Sequence, residues 1–281
     1  MSLSKIREAF VKNLTPVYQP EEAEQIFILI VENLTGINLR INKSATFTPD
    51  GCFIKMFADI EKRLLQHEPI QYILNEAWFY DIPFYVDKNV LIPRPETEEL
   101  VHWIVKDYTD RTPTRILDIG SGSGCIPIIL KRKFPEAAVF SCDLSAQALK
   151  VAEKNARKHQ TAISWIELDF LKPDNWNQLP KCDILVSNPP YIPEEDLTDM
   201  QRNVSDHEPH LALFVANSNP LIFYEAIAKA SKSLLVPRGA VYVEIHEKFG
   251  ASAVQLFEEH QLKPILKQDM QGKDRMIKCT F

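Results

Sequence analysis

The sequence predicts an α/β protein in which a parallel β-sheet carries helices on both faces and a small helical domain precedes it. Three observations carry that expectation. From Pro95 onward, strand-like apolar runs alternate with helix-like ones, the order that crossover helices between parallel strands require. Upstream of residue 75, apolar residues instead recur at helical spacing. Between these regimes, Glu76 to Asp87 alternates and is rich in aromatics (Trp78, Phe79, Tyr80, Phe84, Tyr85), which reads as a hairpin with Asp81 and Pro83 near its turn. The expected organisation is a helical domain over 1–74, a hairpin linker over 75–92 and the larger α/β domain over 93–281.

The helical domain has three periodic stretches, Ile6 to Leu14, Ala23 to Leu34 and Phe53 to Leu65. Pro20 with Glu21 and Glu22 opens the second, and Gly36 closes it. Thr48-Pro49-Asp50 stands where the third begins. In the α/β domain seven strands are expected: Arg115 to Ile119, Ala138 to Cys142, Ile163 to Leu168, Asp183 to Ser187, Ala240 to Ile245, Pro264 to Gln268 and Met276 to Phe281. Helical patterns fall at Glu96 to Val105, Ile126 to Phe134, Ala146 to His159, Leu221 to Leu235 and Ala251 to His260. Only Asp269 to Arg275 separates the last two strands, too little for a crossover helix, so the final strand should run antiparallel.

Composition narrows the functional classes. The chain has 281 residues, 45% of them hydrophobic and 25% charged, enough for a full core and more than one folding unit. No apolar run reaches the length of a membrane span, and the first residues lack the apolar segment of a secretory signal, so a cytoplasmic protein without membrane partners is expected. The five cysteines are odd in number, widely spaced and set among apolar residues, as reduced core thiols would be. They form no zinc-binding pattern, and no metal is expected. A formal net charge of −6 argues against a general nucleic-acid binder, and no stable nucleic-acid partner is expected. The basic runs Lys131-Arg132-Lys133 and Lys150, Lys154, Arg157, Lys158 read as solvated helix faces.

Four motifs fall at the carboxyl ends of expected strands, where parallel sheets bind ligands. Asp118-Ile-Gly-Ser-Gly-Ser-Gly124 lies between a strand and a helix, and its glycines allow backbone to approach a ligand closely. Cys125 occupies the position where a dinucleotide fingerprint needs a small residue, usually glycine, so the spacing suits a nucleoside ligand without a pyrophosphate better than NAD. Asp143 ends the second strand, where a carboxylate can accept both hydroxyls of a ribose; the alternative is a helix cap, although Ser145 is better placed for that. Asp169-Phe170 could grip an adenine amino group and ring face, or could be a cap beside a core aromatic.

The fourth motif is Asn188-Pro189-Pro190-Tyr191, after the apolar run Ile184 to Val186. Neither proline has an N–H, so the turn presents carbonyl oxygens; Asn188 adds a side-chain acceptor and Tyr191 a flat apolar face. Such a group can hold a planar amide or amine nitrogen, although an Asn-Pro turn can also simply end a strand. His207 and His210 flank Glu208-Pro209, but the spacing is not that of a zinc protease, and they read as loop or pocket-wall residues.

Taken together, these motifs resemble in order and spacing the class I S-adenosylmethionine-dependent methyltransferases that modify nitrogen, whose sheet is seven-stranded and Rossmann-like. Ile92-Pro-Arg-Pro-Glu-Thr-Glu98 and Glu208-Pro-His-Leu-Ala-Leu213 narrow the resemblance to the release-factor glutamine methyltransferases, over most of the chain. The resemblance implies methyl transfer from S-adenosylmethionine to the glutamine side-chain amide in the GGQ motif of class I peptide chain release factors, leaving S-adenosylhomocysteine. It also implies that Gly120, Ser121, Gly122, Ser123 and Gly124 wrap the methionine end of the cofactor, Asp143 holds its ribose, Phe170 contacts adenine and Asn188 touches the cofactor. Asn188, Pro189, Pro190 and Tyr191 would hold the glutamine, Asn188 and Pro189 acting in catalysis and Tyr191 stacking on the amide, with Arg94 and Thr97 bordering the pocket. The helical domain is then the expected site of protein recognition. Relatives that methylate a ribosomal-protein glutamine, or adenine N6 in nucleic acid, share much of this pattern.

Overall fold

The computed structural model describes residues 2–37 and 48–281, which divide into two compact units. Unit 1 comprises Met1–Glu76 together with Gln201–His207; unit 2 comprises Ala77–Met200 and Glu208–Phe281.

Unit 1 is built from α1 (Leu3–Leu14), α2 (Pro20–Thr35), α3 (Gly51–Leu64) and the short α4 (Ile70–Leu74). Each of the first three begins where the chain supplies a start. The Ser2 hydroxyl accepts from Lys5 N–H, Pro20 occupies the first turn of α2, and Asp50 accepts from Phe53 N–H at 2.8 Å. Gly36, in the left-handed region at φ 71°, ends α2 by donating to the Glu32 carbonyl. The faces of these helices meet in an aromatic core in which Phe10 lies 5.0 Å from Phe57 and Phe27 5.5 Å from Phe57, edge to face. Gln201–His207 joins this unit, where the His207 ring lies 3.0 Å from the Gln66 carbonyl.

Unit 2 opens with the antiparallel hairpin β1 (Ala77–Phe79) and β2 (Ile82–Phe84). Phe79 and Phe84 are fully buried in the core of the sheet unit, and the hairpin groups with unit 2. The succession continues with α5 (Pro95–Asp107), β3 (Arg115–Ile119), α6 (Cys125–Lys133), β4 (Ala138–Asp143), α7 (Ala146–Lys158), β5 (Ser164–Glu167) and β6 (Cys182–Ser187). A two-strand parallel pair, β7 (Ile192–Pro193) and β8 (Phe214–Val215), lies apart from the main sheet. The chain then runs through α8 (Ile222–Leu234), β9 (Leu235–Glu244), α9 (Gly250–Glu259), β10 (Lys263–Gln268) and β11 (Asp274–Thr280).

Seven strands pair in the order β10-β11-β9-β6-β3-β4-β5. Strand β11 is antiparallel to both neighbours; the pairs β9–β6, β6–β3, β3–β4 and β4–β5 are parallel. Alternation divides each central strand between two cores: Leu117, Leu185, Val241 and Val243 face α8 and α9, whereas Ile116, Ile184, Val186, Ala240 and Tyr242 face α5 and α6. The order reverses between β3 and β6, which places their carboxyl ends beside a crevice.

Candidate active site

Above the β3–β6 reversal lies a cavity of about 360 Å³. Its wall includes Gly120, Ser121, Gly122 and Ser123 from the loop after β3, Asp143 from the end of β4, Asp169 and Phe170 after β5, and Asn188, Pro189 and Pro190 after β6. Arg94 and Thr97 border it. Strand-end motifs separated by up to about seventy residues in the chain thus converge, because each follows a parallel strand and all parallel strands end on one side.

The loop is held from behind. Asp118, buried in β3, accepts from the Ser141 hydroxyl at 2.5 Å, and the Ser141 and Ser121 hydroxyls lie 2.6 Å apart. Burial pushes the Asp118 carboxyl up to about 8, with the Ser141 bond opposing and Asp143 adding to the rise. Gly120 and Gly122 adopt φ of 83° and 50°, and no atom lies within 4 Å of where a Gly122 side chain would begin. That open cradle fits the close approach of a ligand. Gly124, by contrast, does not line the cavity. A Cβ there would meet Ala152 at 3.1 Å and Ile128 at 3.2 Å, so this glycine serves the contact of α6 with α7 at φ 82°.

Asp143 accepts from Gly122 N–H at 2.9 Å with one oxygen and from Ser145 N–H at 2.8 Å with the other. Each oxygen retains a lone pair for a hydroxyl. Ser145, not Asp143, caps α7 by accepting from Ala148 N–H. Desolvation raises the Asp143 carboxyl, and bonds from Gly122, Ser145 and Leu144 N–H oppose this. Phe170 offers an apolar wall backed by Trp176, whose indole N–H donates to the Phe170 carbonyl at 2.8 Å. A glycine cradle, a two-oxygen acceptor and an aromatic wall in one cavity fit the amino acid, ribose and base of a nucleoside thioether.

Beside the glycine loop, Asn188 Nδ2 donates to Thr97 Oγ1 at 3.0 Å, and Thr97 Oγ1 donates to Glu244 Oε2 at 2.6 Å. Glu244 is buried at the end of β9, and its other oxygen accepts from the Tyr191 hydroxyl at 3.1 Å. Burial raises the Glu244 carboxyl, opposed by the bonds from Thr97 and Tyr191. Tyr191 is therefore turned inward: its ring packs on the core and on His246, 5.8 Å away, and it is not among the cavity-lining residues. The Tyr191 hydroxyl is held by Glu244, which fixes the ring against the core.

The two flanking motifs also meet. Glu208 Oε1 accepts from Arg94 Nη2 at 2.6 Å and Oε2 from Ile92 N–H at 3.2 Å. His210 packs on Phe214 at 5.1 Å. Sequence reasoning missed Glu244, although two signals mark this network. Thr97, Leu100, Val101 and Ile104 form one helical stripe, and Glu244 continues the inward register of Ala240 and Tyr242. A carboxylate and a hydroxyl at core positions are partners waiting to be paired.

The methyltransferase small domain pattern matches residues 97–208. Among solved structures, the fold is shared with a methyltransferase from Pyrococcus furiosus (TM-score 0.52, 14% identity, covering 79% of this chain and 98% of that one). It is shared as well with ribosomal protein L11 methylase from Lactobacillus delbrueckii subsp. bulgaricus (TM-score 0.50, 19% identity, 69% and 83% covered). This sheet order, with its antiparallel β11 and its cavity over the β3–β6 reversal, is the class I methyltransferase fold, whose members use S-adenosylmethionine. Release factor glutamine methyltransferases from Flavobacterium psychrophilum and Bacteroides thetaiotaomicron are each 39% identical to it, covering 100% and 98% of this chain and 100% and 99% of their own lengths. The chain belongs to the release factor glutamine methyltransferase family.

Proposed function

We propose that this protein methylates the side-chain amide nitrogen of the GGQ glutamine in class I peptide chain release factors. The observation that carries the reading is the Asn188-Pro189-Pro190 turn, set in the same cavity as the glycine cradle and Asp143 and flanked by the Arg94–Glu208 pair. S-adenosylmethionine supplies an electrophilic sulfonium methyl. Gly120 to Ser123 hold its amino-acid end, Asp143 its ribose hydroxyls and Phe170 its adenine.

An amide nitrogen is a poor nucleophile because its lone pair is delocalised, so orientation is the main contribution the protein can make. Asn188 Oδ1 and the Pro189 carbonyl each accept one amide N–H, which fixes the nitrogen and stabilises the positive charge that develops on it. As the N–C bond forms the sulfur–methyl bond breaks and S-adenosylhomocysteine leaves; the surplus amide proton passes to water afterwards, so no dedicated base is needed. Pro190 closes the wall, and Tyr191 supports the turn from behind. Unit 1 is proposed to recognise the protein substrate, and the reaction is placed in the cytoplasm, where release factors act.

The test incubates purified protein and S-adenosylmethionine with a release factor and follows the GGQ peptide by mass spectrometry. A gain of one methyl on that glutamine supports the reading. Methyl appearing instead on a ribosomal-protein glutamine or on adenine, with the release factor unmodified, refutes it.

A further inference from the structure

We propose that Glu244 is a positioning residue that acts through Thr97 to fix which end of the Asn188 amide faces the acceptor. The proposal rests on the glutamine reading above and deepens it. Hydrogen count decides the orientation. The Thr97 hydroxyl has a single proton and donates it at 2.6 Å to Glu244 Oε2, which accepts whether Glu244 is ionised or holds its proton on the other oxygen. That proton is therefore directed to Glu244, and only lone pairs are left toward Asn188. The Asn188 atom 3.0 Å away must then be the donor, Nδ2, which turns Oδ1 toward the cavity.

Polarity is thus transmitted from a buried carboxyl oxygen, through one hydroxyl, to the amide. Without the relay, Asn188 can present either its oxygen or its NH2 group, and only the oxygen can accept from a substrate amide. A second consequence concerns selectivity: a fixed acceptor receives the N–H of glutamine and repels the oxygens of glutamate. Tyr191 shares the Glu244 carboxylate but not the relay, because its bond falls on the other oxygen. Removing the Tyr191 hydroxyl therefore perturbs the same buried carboxylate and leaves the Thr97 proton in place. This separates positioning from packing.

The experiment compares Thr97→Val, Thr97→Ser and Tyr191→Phe with wild type, measuring kcat and KM on a glutamine peptide and the affinity for S-adenosylmethionine by calorimetry. Loss of the relay should lower kcat roughly a hundredfold, as a misplaced reacting group does, with cofactor affinity changed only a few-fold. Thr97→Ser restores the hydroxyl and should recover kcat, and Tyr191→Phe should lose much less than Thr97→Val. Wild-type kcat in Thr97→Val would overturn the proposal, as would equal losses in all three variants. If Thr97→Val does not unfold cooperatively, the decision falls to the wild type labelled with 15N-asparagine. There the Asn188 side-chain amide protons should exchange slowly with solvent, and exchange at the free-amide rate overturns the relay. Should wild type fail to methylate glutamine while the Asn188 protons are protected, the substrate reading falls and the relay stands.

Discussion

Arg94 and Glu208, separated by more than a hundred residues, form a 2.6 Å ion pair whose acidic member is buried and whose basic member is partly open to solvent. The pair ties the segment before α5 to the loop that borders the cavity. Its two halves are not equivalent. Arg94→Ala leaves a desolvated carboxylate with only the Ile92 N–H, whereas Glu208→Ala leaves a guanidinium that water can reach. Arg94→Ala should therefore destabilise by about 3 kcal/mol and Glu208→Ala by about 1 kcal/mol. Urea unfolding of both variants checks the order, and a larger loss in Glu208→Ala would refute the asymmetry.

Two glycines of one loop should respond differently to alanine. Gly122→Ala meets open space, so its cost is the left-handed backbone, about 1 kcal/mol, and its main effect should be weaker S-adenosylmethionine binding. Gly124→Ala adds a clash with Ala152 and Ile128 and should destabilise by about 3 kcal/mol. Thermal melts with and without cofactor separate the two effects. Equal melting temperatures in the cofactor-free variants would contradict the assignment.

Asp143 couples the loop to the ligand. Asp143→Ala removes the acceptors of Gly122 and Ser145 N–H along with those offered to ribose, and should weaken S-adenosylmethionine by about 2 kcal/mol, roughly thirtyfold in Kd. Calorimetry reads this directly. Unchanged affinity would remove Asp143 from the cofactor site.

Asp118 should leave a signature in the pH dependence of stability. Its folded-state value, about 8, lies above its unfolded value, so its contribution is fully present below the ordinary aspartate range and is lost as pH rises toward 8. Asp118→Asn cannot ionise and retains an acceptor for Ser141. The urea midpoint of wild type relative to Asp118→Asn should fall between about pH 4 and about pH 8, the span from the ordinary aspartate value to the folded one. A constant difference across that range would show that Asp118 keeps an ordinary aspartate value.

The parts of the fold that follow from periodicity were legible. Seven strands and the antiparallel run of the last one are present, because buried strands declare themselves as short apolar runs. The start of β9 was not: Leu234 ends α8 and Leu235 begins β9 with no punctuating residue between, while Pro237 and Gly239 come later. The β7–β8 pair is only two residues long on each side, too short to show a period. Gln201–His207 joined unit 1 through contacts that no local pattern encodes. Within the candidate site, the motifs at strand ends were legible, since a parallel sheet dictates where they meet. The inward turn of Tyr191 was not, because it depends on Glu244, a partner far along the chain.

The placement of β11 between β9 and β10 has a consequence for biosynthesis. During translation the edge of β9 stays unpaired until residues 274–280 have left the ribosome, and β10, made earlier, has no neighbour through which to join the sheet. The catalytic unit therefore cannot complete its sheet as it emerges. A nascent chain stalled before β11 would carry an open strand edge, the kind of surface that chaperones shield and that otherwise aggregates.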